Sequence, residues 1–94
     1  MVCFELAALP ALDGALDLIE RGVRSSLHRD NAQLAAGISL DEAGAPAAAQ
    51  VLIFDPQTSG GLLVALPAAQ AEACLAALRE AGEVATRIGS ISAP

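Results

Sequence analysis

The chain has 94 residues, 54% of them hydrophobic, 17% charged and 2% aromatic. That is one domain, residues 1–94, at roughly 100–200 residues per domain, and it is too apolar for a disordered segment. Eleven acids against five arginines and no lysine leave a net charge of −6. This excludes the basic face that nucleic acid demands, and the absence of Trp and Tyr removes stacking platforms for bases.

Residues 2–6 alternate, with Val2, Phe4 and Leu6 on one face and Cys3 and Glu5 on the other, which predicts a strand. Pro10 then marks a helix entry. Leu12, Ala15, Leu16, Ile19 and Val23 recur at helical spacing, so an amphipathic helix is expected over roughly 11–22. Asp17–Arg21 and Glu20–Arg24 are acid-before-base pairs at i,i+4 that would support it, and Gly22 is near the expected stop. Residues 25–50 are the least regular part. Ser25 to Asn31 reads as a polar loop, residues 32–38 as a short helix or an irregular crossing, and Gly44 and Pro46 break anything longer.

Val51-Leu52-Ile53-Phe54 is a continuous apolar run of strand length and reads as a buried strand, with Gly61 to Leu66 as a second. Asp55 to Gly60 would close a hairpin between them. Ala71, Cys74, Leu75 and Leu78 form one apolar stripe after Pro67, predicting a helix over about 68–81 capped by Gly82. Val84 to Ile88 reads as a last strand at a sheet edge, followed by a frayed tail after Gly89. The order strand, helix, strand, strand, helix, strand predicts an α+β fold of ferredoxin-like βαββαβ type, an antiparallel sheet with both helices on one face.

The longest apolar stretch is about six residues, far short of the roughly 18 needed to cross a bilayer, so no membrane association is expected. No charged-then-apolar leader opens the chain, so no signal peptide is read and the cytoplasm is the expected compartment. Cys3, Cys74 and His28 are too few and too scattered for a metal centre. The two cysteines are expected to be free thiols, with Cys74 as a small core side chain.

The stretch that carries chemistry is Asp55-Pro56-Gln57-Thr58-Ser59-Gly60-Gly61. Two glycines allow close backbone approach and positive φ. Gln57, Thr58 and Ser59 bring an amide and two hydroxyls, and successive N–H groups in such a turn can form an anion nest. The same residues serve equally well as plain turn formers. Arg29 and Asn31 could meet a phosphate or lie in a solvated loop, and His28 reads as a surface histidine. No catalytic residue is identified. Asp41-Glu42 reads as a solvated turn.

As a string, Phe54-Asp55-Pro56-Gln57-Thr58-Ser59-Gly60-Gly61-Leu62-Leu63 resembles the C-terminal signature of selenophosphate synthetase, a family also known as selenide, water dikinase. Leu9-Pro10-Ala11-Leu12-Asp13-Gly14-Ala15 is similar to the family's Leu-Pro-x-x-x-Gly-Ala segment. His28-Arg29-Asp30-Asn31 sits where the family places an Arg-x-x-Asn or Arg-Arg-Asn segment, although Ser25-Ser26 stand in place of its Gly-Gly. Arg87-Ile88-Gly89-Ser90-Ile91 is similar to its Ile-Gly-x-Val ending.

The resemblance implies the C-terminal part of a two-domain enzyme of the aminoimidazole ribonucleotide synthetase superfamily. Such enzymes make selenophosphate, AMP and phosphate from ATP, selenide and water with magnesium, and hold ATP between their two domains in homodimers. It implies ATP and Mg2+ as cofactors, neither bound tightly by this chain alone. The ligand-binding residues expected from it are Asp55, Gln57, Thr58, Ser59, Gly60, Gly61, Arg29 and Asn31. The family's catalytic Cys or selenocysteine, its Lys and its metal-binding Asp motifs have no match here, so the chain alone is expected to be inactive. The expected partner is the N-terminal ATP-binding half or a second copy. Two other readings stand beside this one: a fragment of a related superfamily kinase, and a non-catalytic ferredoxin-like module that oligomerises or binds a partner.

Overall fold

The computed structural model describes residues 1–94. Its central strand is β1, Val2–Glu5, where the N-terminal alternation predicts one. β2, Ser39–Asp41, lies on one side of it and β3, Gly89–Ile91, on the other. β1 and β2 run parallel, with Cys3 opposite Ser39 and Glu5 opposite Asp41. β1 and β3 run antiparallel, with Val2 opposite Ile91 and Phe4 opposite Gly89. The α+β class holds, but the sheet is mixed and three-stranded. The antiparallel sheet of the ferredoxin-like expectation does not form, because the chain returns from β1 through a long crossover and enters β2 in the same direction.

That crossover contains four short helical pieces. A 3-10 turn, Leu6–Ala8, follows β1 directly. The first helix, α1, is Ala15–Glu20, shorter than the expected 11–22. Gly14 takes a left-handed φ of 85° at its N-terminal boundary. At the other end Gly22 is also left-handed, its N–H donating to the Ile19 carbonyl while the Val23 N–H reaches back to Leu18. This is the glycine-terminated helix stop that the sequence signals. Asp17 and Arg21 pair at 3.0 Å as their spacing predicts. Glu20 and Arg24 do not, because Arg24 Nη1 donates instead to the carbonyls of Ile19 and Val23. Residues His28–Ala32, expected as loop, form helix α2, which runs on into a 3-10 turn over Gln33–Gly37.

The largest departure is at Ala48–Leu52, which forms helix α3 rather than the start of a hairpin. A short apolar run reads the same in a buried strand and a buried helix. The Ala47-Ala48-Ala49 approach, with its high helix propensity, tips the run toward helix. Ala48 and Ala49 are buried where α3 packs on α1, and their small side chains let the two backbones come close. The buried set is Leu6, Ile19, Ala48 and Ala49, so the core sits between the 3-10 turn after β1, α1 and α3.

The expected strand at 61–66 does not form either, and the segment joins no sheet. The last helix, α4, runs Ala68–Glu80 as predicted, and Gly82 closes it with a left-handed φ of 86°. Along α4, Ala71, Cys74 and Leu75 are half-buried, Leu78 is exposed and no residue is fully buried. Cys74 is thus not a core side chain, and both cysteines are free thiols. The final strand lies a few residues later than the expected 84–88. The tail after Gly89 is not frayed: the Ser92 N–H donates to the Met1 carbonyl at 2.9 Å, and the Met1 ammonium donates to the Ser92 carbonyl. Gly89 is required here, since a Cβ at this position would collide with the Cys3 carbonyl across the β1–β3 pair.

Candidate functional site

The expected ligand-binding residues fall into two groups, one on helix α2 and one after helix α3, joined by a single hydrogen bond. Phe54 and Asp55 leave α3 through a turn, the Asp55 N–H donating to the Leu52 carbonyl at 3.1 Å. α2 lies next to this exit. Asn31 Nδ2 donates to the Phe54 carbonyl at 3.1 Å, a bond that spans 23 residues of sequence. It ties the segment holding Arg29 and Asn31 to the residue just before Asp55. Ser25 helps to start α2, its Oγ accepting from the Leu27 N–H at 3.3 Å, so the serines standing where the family has Gly-Gly act here as a helix-entry turn.

Around this junction the side chains differ in what they can do. Arg29 is exposed, and it is the one arginine without a hydrogen bond or ion pair: Arg21 and Arg87 face Asp17 and Glu5, while Arg24 and Arg79 donate to carbonyls. A guanidinium with all its donors open is the group suited to a phosphate. Asn31 is half-buried and already committed to Phe54. His28 is half-buried, not a surface residue, and its Nδ1 is shut off from solvent without a hydrogen-bond partner.

Gln57, Thr58, Ser59, Gly60 and Gly61 are exposed. They do not form a hairpin loop, because neither flanking strand exists. The positive φ expected at the glycines falls on Ser59 instead, at 56°, a conformation in which a non-glycine residue carries backbone strain. Gly60 has Gln57 folded against it, with Oε1 3.3 Å from where a Cβ would stand. From Pro56 to Leu66 no backbone group hydrogen-bonds to another backbone group, so the N–H groups of residues 57–61 are open donors.

Asp55 also borders a cavity of about 190 Å³ lined by Leu18, Ile19, Val23, Arg24, Ser25 and Leu52, among others. Arg24 and Ser25 were not legible as part of a site. Arg24 reads in the sequence as half of a helical ion pair, and only the ending of α1 at Gly22 turns its neighbourhood toward Asp55.

No three His, Cys, Asp or Glu side chains converge as a metal-holding group. Magnesium, which the resemblance implies, takes carboxylate and phosphate oxygens, and near this junction the chain offers Asp55 alone among its proposed ligands. The donor set does not fit a magnesium ion held by this chain, and no phosphoryl-transfer step can be derived from these residues. No helix is long and apolar enough to cross a membrane.

Residues 3–94 match the family model described as AIR synthase related protein, C-terminal domain. The chain is 34% identical over 97 residues to the selenide, water dikinase of Nitratidesulfovibrio vulgaris, covering 99% of this chain and 27% of that protein. It is 42% identical over 86 residues to the selenide, water dikinase of Burkholderia pseudomallei, covering 89% of this chain and 24% of that protein. With that of Geobacter metallireducens the identity is 34% over 90 residues, covering 95% and 26%. The chain thus spans about a quarter of the length of these curated relatives. No solved structure gives a significant match. With all but its first two residues inside the matched region, the chain belongs to the AIR synthase related protein, C-terminal domain family.

Proposed function

We propose that the chain is the C-terminal portion of a selenide, water dikinase, supplying structure and part of the wall of an ATP site, and that it has no activity alone. The enzyme would work in the cytoplasm and require the N-terminal ATP-binding half, with residues 1–94 as the smaller part of a two-domain protein. The observation that carries this reading is the Asn31 to Phe54 hydrogen bond. It ties α2, the helix that carries Arg29, to the residue just before Asp55, and so joins the two stretches from which an anion-binding set would be drawn.

In this reading Arg29 and the open N–H groups meet phosphate oxygens of the nucleotide. Thr58 and Ser59 add hydroxyl donors, and Gln57 an amide. Gly60 and Gly61 keep the backbone open to approach. Asp55 borders the cavity that Arg24 also lines. Magnesium would be held by the nucleotide and the N-terminal half. The developing charge of phosphoryl transfer requires cations and metal ions to absorb it, and one free arginine on a chain of charge −6 does not suffice. A fragment of a related superfamily kinase is the weaker reading, because the relatives named above are selenide, water dikinases.

Calorimetric titration of the chain with magnesium–ATP tests the proposal. Saturable micromolar binding that Arg29→Ala weakens about tenfold would place a share of the nucleotide site here. Binding unchanged by Arg29→Ala, or no binding even when the N-terminal half is added, would overturn it. Selenophosphate formation by the chain alone would overturn its expected inactivity.

A further inference from the structure

We draw no further inference here: the strongest candidate, the exposed apolar run 62–66 between the Asp55–Gly61 segment and α4, belongs to the surface that a chain spanning about a quarter of its relatives' length leaves open, and nothing in the structure shows what covers it.

Discussion

Residues 1–55 and the C-terminal strand gather around Leu6, whereas residues 56–83 lie open. In the first region β1 is paired on both sides, α1 and α3 pack together, and every fully buried residue is found there. In the second, eleven consecutive residues lack backbone pairing and α4 buries nothing completely. Yet the second region is the one with the strongest local signals: a helix of high propensity, a glycine stop and an apolar run of strand length. The contrast teaches that local pattern and burial are separate matters. A strand pattern becomes a strand only where the chain brings it to a partner edge, and here residues 61–66 are brought to neither of the sheet's outer strands, β2 and β3.

Unfolding free energies, measured in urea at concentrations where the chain is monomeric, would break this comparison most sharply at its centre. Leu6→Ala removes the most buried large side chain and should destabilise by about 2–5 kcal/mol. Leu62→Ala, the same chemical change in the open segment, should alter monomer stability by less than about 0.5 kcal/mol. Equal losses would mean that residues 61–66 are packed in solution. Next in size, Gly89→Ala forces a Cβ into the Cys3 carbonyl. A loss of about 1–3 kcal/mol is expected, with faster amide exchange at Glu5 and Ser92, whose N–H groups bond across the β1–β3 pair. Exchange unaltered at those amides would show that the β1–β3 pairing is not as described.

The smallest effect concerns the junction between the regions. Asn31→Ala removes the hydrogen bond to the Phe54 carbonyl and should cost about 0.5–1.5 kcal/mol. If the bond positions Arg29 beside residues 57–61, Asn31→Ala should weaken magnesium–ATP binding as well. Asn31→Asp, which cannot donate to a carbonyl, should do the same. Retained affinity in both variants would mean that α2 and the glycine-containing segment act separately.

Much of the site was legible as a string and little of it as geometry. The Asp55–Gly61 string and the Arg29–Asn31 segment are legible as a resemblance to one family, and both lie within the matched residues 3–94. The bond that joins the first segment to Phe54 was not legible, since it comes from an asparagine on a helix that the sequence pattern leaves as loop. The positive φ that the glycines allow falls on Ser59 instead. No flanking strands form a hairpin here, and Gln57 lies against Gly60 next to the positive-φ Ser59.

The sequence by itself determined whatever depends on neighbouring residues. That covers β1 from its alternation, α4 from its apolar stripe, the stops at Gly22 and Gly82 from their tolerance of positive φ, the Asp17–Arg21 pair from its spacing, and the absence of a basic face. Only the tertiary structure decided what depends on partners distant in the chain. It settled Ala48–Leu52 as a helix by burying Ala48 and Ala49 against α1, where the alanine propensity and the apolar run read two ways. It recruited Ser39–Asp41 and Gly89–Ile91 to the two edges of β1, and it left Gly61–Leu66 unpaired. The reason is physical: a helix satisfies its backbone within its own turn, whereas a strand must find another strand, and no local pattern says which one will be there.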